Sequence, residues 1–332
     1  MPPLAIVEAS NAAFCPSYIP VAVIVGGTSG VGQAMAEALA HQLSGRAHIV
    51  IVGRNATTAK EILAGFPKPT ELDEWAHEFV SCDASSMASV RTVCASLNAR
   101  LRRINFLVIT AGGPAANSMV ESCLTAEGLD AHLAMRYFMR YLFTKELLPL
   151  LVCAKEMGQH AHVMTVLGAG FGFKIRTTDL GLHETRSRSI KLLQGVVPSI
   201  AAVTGGITGV AYNDGLVAHF AVQHPTLSFT HISPGQVLTA GGSDIYLGWL
   251  FVPLAWLLGR FKRAIALTQD ERAKYMMYAL LDVECGLFIR GDHGDVVSAH
   301  IFNPDHKAQF DPMSPTAHKS VSYPHFLITE NV

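Results

Sequence analysis

Three glycines near the start of the chain have the spacing that a phosphate-binding turn requires. Gly26, Gly30 and Gly32 lie between an apolar run, VAVIV (21–25), and a segment of helical period that begins near Gln33. Positions without a side chain let the backbone approach a pyrophosphate, and the first turn of the following helix offers unpaired N–H groups and the positive end of its dipole. This context favours a dinucleotide-binding loop. The alternative is a tight strand-to-helix turn that binds nothing.

The residues that follow the second apolar run bear on the choice of dinucleotide. An acidic side chain at this position binds the ribose hydroxyl of NAD, whereas a cation accommodates the additional 2′-phosphate of NADP. The chain reads IVIVGRNATTA here, so Arg54 and Asn55 occupy the position. The pattern favours NADP(H), with an exposed arginine beside a loop as the alternative interpretation.

Apolar runs alternate with helix-like segments along most of the chain. The runs are VAVIV, HIVIV, HEFVSC, INFLVIT, HVMTVL and LSFTHIS, and the helical segments between them cover 33–43, 56–64, 85–101, 127–152 and a stretch that ends near 223. Such alternation predicts an α/β fold, a Rossmann-like doubly wound parallel sheet covered by helices on both faces.

We expect a single domain over 1–332, because no linker is long enough to divide it. Its most apolar segment, Ile245 to Phe261, is shorter than the roughly 20 apolar residues that span a bilayer and is interrupted by Pro253. We therefore interpret 240–285 as an apolar helical lid over a substrate, with peripheral membrane contact as the alternative. The turn-rich residues 303–332 are expected to form a loose C-terminal extension.

The charge balance and the cysteines narrow the partners and the compartment. The 25 Lys and Arg residues and 26 Asp and Glu residues give a formal net charge of −1, without a basic block that would follow a nucleic acid backbone. The six cysteines are dispersed and contain no CxxC pair, which favours a reducing compartment. The N-terminus has no pattern of a secretory signal. We expect a cytoplasmic protein without a nucleic acid partner.

Several stretches together resemble the short-chain dehydrogenase/reductase superfamily, and within it a divergent set of fungal oxidoreductases of secondary metabolism. They are GGTSGVG, GRN, CDAS, LVITAGG, FTKELLPLL and SPGQVLT, in this order between Val21 and Thr239. The resemblance implies that Asp83 binds the adenine, although Asp83 could equally cap the following helix. The cofactor-binding residues that it implies are Gly26, Thr28, Gly30, Val31, Gly32, Arg54, Asn55, Asp83, Thr110, Ala111, Gly112, Pro234, Gly235, Val237 and Thr239.

Members of this superfamily usually work with an Asn, a Ser and a Tyr-x-x-x-Lys pair, and this chain lacks the pair where it is expected. A phenol has a pKa of about 10, so the lysine must sit one helical turn away to lower it. The expected place is near 200–208, where the chain reads IAAVTGGIT. The position of the serine corresponds to Val166 or Leu167, and that of the asparagine to Arg136.

Two polar residues are candidates for a direct catalytic role. Arg136 occupies the position of the asparagine, and Tyr212 lies on the helix that usually carries the tyrosine. A packing role is the alternative for each, because tyrosines half-buried on helices are common in cores. The one Tyr-x-x-x-Lys, Tyr141 with Lys145, precedes the fifth strand and is interpreted as a packing pair.

The resemblance implies an NADP(H)-dependent oxidoreductase that acts on an apolar carbonyl, alcohol or alkene, since the cofactor carries the hydride. The missing pair leaves two alternatives open: a redox-neutral isomerase, dehydratase or cyclase, and a non-catalytic dinucleotide-binding protein. His160 and His162 have no cysteine or acid at ligand spacing, so no metal site is predicted. The partner is expected to be a lipophilic small molecule, and the resemblance also implies a homodimer.

Overall fold

The computed structural model describes residues 1–68, 76–112, 124–170, 199–235, 268–282 and 285–297, and leaves the side chains of 199–207 undescribed. Within these ranges the chain forms a seven-stranded sheet with every neighbouring pair parallel. The strands are β1 Val21–Val25, β2 His48–Gly53, β3 Glu78–Ser81, β4 Phe106–Ile109, β5 His162–Val166, β6 Ser228–Ile232 and β7 Gly286–Arg290. The predicted α/β fold with a doubly wound parallel sheet is confirmed.

The strand order, β3-β2-β1-β4-β5-β6-β7, reverses direction beside β1. The chain starts in the middle of the sheet, runs outward to β3 and then crosses back to β4, where Val25 pairs with Ile109. Such a reversal opens a crevice at the carboxyl ends of the strands, which is where ligands bind in open α/β sheets. All residues of β1 and β4 are buried, as expected for strands covered by helices on both faces.

Eight α-helices connect or flank the described strands. They are α1 Leu4–Ala13, α2 Gly30–Gln42, α3 Ala56–Ala64, α4 Met87–Arg100, α5 Ala131–Leu133, α6 Met139–Glu156, α7 Ser199–Gln223 and α8 Gln269–Leu280. A π-helical segment, Ala134–Phe138, joins α5 to α6. None of the described helices has the length and hydropathy that would let it cross a membrane.

The helices bury apolar stripes on the two faces of the sheet. On one face α2 packs through Met35 and Leu39, four residues apart and each 1% exposed, with α8 beside it. On the other face α4, α6 and α7 cover the sheet, and Phe143 of α6 is fully buried. Burial of a side chain of this size contributes about 1.5–3 kcal/mol, so both stripes fix the helices firmly on the strands.

The segment predicted as a lid, 240–285, is only partly described. Its later part contains α8, which begins with a capping box between Thr268 and Glu271 and buries Met276 and Leu280 against α2. This part is a core helix, because its apolar side chains face the sheet and α2. Residues 236–267 and the predicted extension at 303–332 lie outside the described residues.

Candidate functional site

A cavity of about 900 Å³ opens at the carboxyl ends of β1, β2, β4 and β5, where the strand order reverses. This volume lies within the range of small-molecule and cofactor sites. Most residues that line the cavity fall into three groups: the turn between β1 and α2, the ends of β2 and β3, and the ends of β4, β5 and β6. They correspond to a loop, a polar end and a largely apolar end.

The turn between β1 and α2 has no room for side chains at two of its glycines. A Cβ on Gly26 would lie 2.6 Å from the backbone nitrogen of Ala111, and Gly26 has a φ of +92°. A Cβ on Gly32 would lie 2.4 Å from Oγ1 of Thr110 and 2.5 Å from the carbonyl oxygen of Gly26. The close packing of this turn on the end of β4 therefore requires glycine at both positions, and it leaves backbone as the lining of the cavity.

The start of α2 is left without a side-chain cap. Its N-cap residue is Ser29, whose backbone is extended and whose hydroxyl accepts no capping hydrogen bond among the described residues. By contrast, Asn55 caps α3 by accepting from the backbone of Thr58, and Ser86 caps α4 by accepting from Ser89. The N–H groups and positive dipole end of α2 thus face the cavity, an arrangement that suits an anionic phosphate.

The polar end of the cavity contains Arg54 and Asp83. Arg54 is exposed, and its guanidinium forms no hydrogen bond or ion pair within the described ranges. Asp83 accepts hydrogen bonds from the backbone and the hydroxyl of Ser85, at 3.0 and 2.7 Å. The interpretation of Asp83 as the cap of the following helix is wrong, because Ser86 takes that position in α4.

The end of the cavity formed by the ends of β4, β5 and β6 is mostly apolar. Val166 and Leu167, at the positions where the superfamily usually has its serine, line it together with Met135. Ser233 supplies a hydroxyl there, but it is only 7% exposed and accepts a hydrogen bond from the backbone of Gly235 at 3.3 Å. This end is suited to an apolar ligand, with few described polar groups that would orient one.

Neither residue proposed for a direct catalytic role lines the cavity in the described ranges. Tyr212 is 3% exposed, and its ring packs edge-on against Tyr137 with 5.3 Å between centroids. Arg136 lies on the π-helical segment next to Met135, and its aliphatic carbons pack against Gly209 of α7. Burial lowers the pKa of Arg136, and the nearby Asp130 raises it in part.

The tyrosine and lysine of the single Tyr-x-x-x-Lys contact each other instead of the cavity. The Lys145 ammonium lies 5.9 Å from the ring centroid of Tyr141, and this ring packs against Phe220 of α7. Tyr141 belongs to the residues packed against the core on this face of the sheet. Their geometry is that of a packing pair between α6 and α7.

A buried amide holds the π-helical segment against α7 and β5. The side chain of Asn213 donates hydrogen bonds to the carbonyls of Arg136 and Gly209, and its Oδ1 accepts from the hydroxyl of Thr165 at 3.2 Å. Asn213 and Thr165 are both fully buried. Because a π-helical turn breaks the usual ladder of backbone hydrogen bonds, the carbonyl of Arg136 takes its hydrogen bond from a side chain of another helix.

Arg140 lies directly behind the cavity wall. Its guanidinium donates hydrogen bonds to the carbonyls of Ile109, Ala111 and Val166 at 3.0, 2.7 and 3.0 Å. A Cβ on Gly112 would lie 2.7 Å from one of its nitrogens, so glycine is required there for this approach. The arginine thus ties the end of β4 to the end of β5.

The structure brings most of the predicted cofactor-binding residues into one cavity. Those that line it are Gly26, Thr28, Gly30, Val31, Gly32, Arg54, Asp83, Thr110, Ala111, Gly112, Pro234 and Gly235. Asn55 instead caps α3, and Val237 and Thr239 lie outside the described residues. The glycine turn, the uncapped helix and the adjacent arginine together fit the diphosphate and the additional phosphate of NADP(H).

The sequence analysis did not identify Ser233 or Asn213 as residues of this site, and it did not predict the hydrogen bonds of Arg140. A signal was present for Arg140, because it falls on the same helical stripe as the buried Tyr137 and Leu147. A charged residue on a buried stripe requires polar partners. No such signal was available for Asn213, whose partners Arg136 and Thr165 lie on other elements.

Comparisons with known proteins agree with this geometry. Residues 20–172 match the short chain dehydrogenase family. An oxidoreductase of Emericella nidulans is 31% identical over 278 residues, which are 82% of this chain and 75% of that protein. The chain belongs to the short-chain dehydrogenase family. The resemblance inferred from the sequence is thereby confirmed, and the oxidoreductases among the relatives support an enzyme.

Two further family members extend the comparison. Human polyprenol dehydrogenase is 31% identical over 273 residues, which are 82% of this chain and 75% of that protein. The solved structure of a Pseudomonas aeruginosa RhlG/NADP active-site complex superposes with a TM-score of 0.56 at 18% identity, over 84% of this chain and 96% of that chain. At this identity the structural likeness establishes the shared fold.

Proposed function

We propose that this protein is an NADP(H)-dependent oxidoreductase that acts on an apolar carbonyl, alcohol or alkene. The observation that carries the proposal is the pairing of an uncapped helix α2 with the free guanidinium of Arg54 at one cavity. The helix start suits a diphosphate, and Arg54 is the cation that an additional 2′-phosphate requires. The NADP in the Pseudomonas complex supports the choice of dinucleotide.

Each part of the cavity has a separate task in the proposed reaction. The backbone of Gly30 to Gly32 would hold the diphosphate, Arg54 the 2′-phosphate and Asp83 the adenine side. Thr110 to Gly112 would form the wall beside the ribose. NADP(H), when bound, supplies or accepts the hydride. The apolar residues Val166 and Leu167 would exclude water from the reacting end.

The apolar end supports a lipophilic substrate. Few described polar groups reach this part of the cavity, so a ligand would be held mainly by burial of its own apolar surface. The name of the human relative, polyprenol dehydrogenase, supports a long-chain alcohol or the corresponding carbonyl compound.

We also propose that one of the two candidate residues orients the substrate for the transfer of the hydride and the proton. Arg136 is the stronger of the two candidates, because the neighbouring Met135 lines the cavity, whereas the ring of Tyr212 packs in the core. An arginine at this place would orient a carbonyl by hydrogen bonding, and the proton would then come from solvent. Activity of the variants Arg136→Lys and Arg136→Met tests this role. Arg136→Lys keeps a cation that can hold the carbonyl, whereas Arg136→Met keeps only the packing.

The direct test is to titrate the purified protein with NADPH and then to offer lipophilic ketones, alcohols and enones. We expect the fluorescence of NADPH to change on binding and its absorbance to fall with at least one carbonyl compound. NADH should bind more weakly. Absence of binding by either dinucleotide to folded protein would contradict the proposal.

A redox-neutral isomerase, dehydratase or cyclase is the second candidate function. The apolar Val166 and Leu167, where a proton-handling serine is usual, favour it. In that case a substrate would be converted while the absorbance of NADPH stayed constant. Binding of NADPH without conversion of any compound in a broad panel would favour a non-catalytic dinucleotide-binding protein.

We further propose that the protein works in the cytoplasm, in secondary metabolism, and as a homodimer. The five cysteines in the described ranges are free, which supports a reducing compartment. The metabolic setting rests on the resemblance of the sequence motifs to fungal oxidoreductases of secondary metabolism. Light scattering on the purified protein measures the oligomeric state, and fractionation of the source cells measures the compartment, including any peripheral contact with membranes.

A further inference from the structure

Arg140 is a buried cation whose described partners are all neutral. It is 0% exposed, and its guanidinium is bonded to three backbone carbonyls. The other two arginines buried in the described core are paired with acids: Arg272 with Asp292 at 3.1 Å and Arg290 with Asp282 at 2.5 Å. No carboxylate of the described residues pairs with Arg140.

The positive charge of Arg140 therefore remains uncompensated beside the cavity. The charged group that acts on its pKa is Arg136, which also carries a positive charge. Burial, with a smaller contribution from Arg136, lowers the pKa of Arg140 to about 9. This value is still well above neutral, so the guanidinium is charged under ordinary conditions.

The guanidinium lies behind the cavity wall, between the part proposed for the ribose and the apolar part proposed for the reacting end. Its acceptors include the carbonyls of Ala111 and Val166, and both residues line the cavity. Gly112, which also lines the cavity, has no side chain to separate the two. The backbone of these lining residues thus lies between the charge and the cavity, and charges interact across protein with less screening than in water.

We propose that Arg140 is a positioning residue that makes this site favour NADPH over NADP⁺, an inference that rests on the proposed function. The nicotinamide ring is positively charged in NADP⁺ and neutral in NADPH. A fixed positive charge near the ring repels the oxidised form only. In the carbonyl reduction, NADPH gives a hydride to the carbonyl carbon and a proton from solvent joins the oxygen. The products are the alcohol and NADP⁺, which this charge helps to expel.

The expected size of the preference follows from Coulomb's law. If the ring lies about 12 Å from the guanidinium, the interaction of two unit charges at an effective dielectric of about 20 changes the affinity by a factor of about ten. We expect the wild-type protein to bind NADPH about tenfold more tightly than NADP⁺ on account of this charge. A merely structural role of Arg140 would weaken both ligands by the same factor.

The experiment measures the Kd of NADPH and of NADP⁺ by calorimetry for the wild type, Arg140→Gln, Arg140→Lys and Arg103→Gln. Arg103 is the matched control, because it bonds the carbonyl of Ile19 at the opposite end of the sheet. Arg140→Gln should lower the ratio of the Kd of NADP⁺ to the Kd of NADPH about tenfold. Arg140→Lys and Arg103→Gln should keep the ratio of the wild type.

Three results would overturn the inference. The first is equal affinity of the wild-type protein for NADP⁺ and NADPH. This result overturns the inference without any variant, so it holds even if Arg140→Gln does not fold. An equal loss of affinity for both ligands in Arg140→Gln would leave the proposed function intact but remove the electrostatic role. Absence of binding by both ligands to the wild type would overturn the proposed function together with this inference.

Discussion

Replacement of Arg54 by Ala tests the choice of dinucleotide most directly. Arg54 follows β2, lines the cavity and makes no described hydrogen bond or ion pair. Its removal therefore breaks no internal contact of the described structure, and surface substitutions of this kind usually change the free energy of unfolding by less than about 0.5 kcal/mol. A change in affinity can then be assigned to the ligand.

The magnitude follows from the exposure of the side chain. A hydrogen bond to a charged group contributes about 1.5–3 kcal/mol, and the exposed position of Arg54 favours the lower limit because solvent screens the charge. About 1.4 kcal/mol corresponds to a factor of ten. We therefore expect Arg54→Ala to raise the Kd of NADPH about tenfold and to leave that of NADH unchanged. Arg54→Asp should reverse the preference, since a carboxylate repels the 2′-phosphate and accepts from the ribose hydroxyls.

Calorimetric titration of both ligands at two salt concentrations measures these effects. The affinity of the wild type for NADPH should decrease with salt more steeply than that of Arg54→Ala, because one exposed ionic contact is missing in the variant. Arg46→Ala is the control, an exposed arginine before β2 at the opposite end of the sheet. An equal loss for NADPH and NADH in Arg54→Ala would refute the assignment of Arg54 to the 2′-phosphate.

Three further predictions concern the turn, the sheet and the buried amide. In calorimetry, Gly32→Ala should weaken NADPH binding more than tenfold, since the new Cβ would overlap Oγ1 of Thr110. Gly65→Ala is the control and should bind normally, because its Cβ would meet nothing closer than 3.4 Å. Burial lowers the pKa of His162 to about 4 from 6.5, so the stability that its neutral form contributes above pH 6.5, up to about 3 kcal/mol, is lost as the pH falls toward 4. Urea unfolding should show a shallower decrease for His162→Asn, and an unchanged slope would contradict this. Asn213→Leu should lower the free energy of unfolding by about 3 kcal/mol because buried acceptors lose their donor, and a loss below about 1 kcal/mol would contradict the bonding described.

The strands were predictable because their pattern reflects burial on both faces of a parallel sheet. VAVIV and FLVI are continuous apolar runs, and the structure buries every residue of β1 and β4. The glycine turn was predictable for a related reason. Gly26, Gly30 and Gly32 lie close together in the sequence, between an apolar run and a helical segment. The turn could therefore be recognised from these local residues alone.

The apolar end of the cavity was not predictable in the same way, because its polar contacts join distant parts of the chain. Arg140 reaches carbonyls 31 and 26 residues away, and Asn213 reaches the carbonyl of Arg136 across 77 residues. Backbone carbonyls are present at every position, so the sequence does not distinguish these acceptors from any others. Only the order of the strands brings Ile109 and Val166 to the same guanidinium.

The buried polar contacts explain how the cavity keeps its shape without the residues that the family usually places there. Arg140 bonds three carbonyls, and Asn213 bonds two carbonyls and one hydroxyl, so each links at least two elements at the apolar end. A buried network with several satisfied hydrogen bonds holds its members rigidly, because an unpaired polar group in a core is costly. The amide and the hydroxyl do not titrate at physiological pH, and the guanidinium stays charged. The geometry of this end is thus set by permanent dipoles and one fixed charge. These groups orient a ligand and favour one of its charge states, and the transfer of the proton is left to solvent or to the ligand itself.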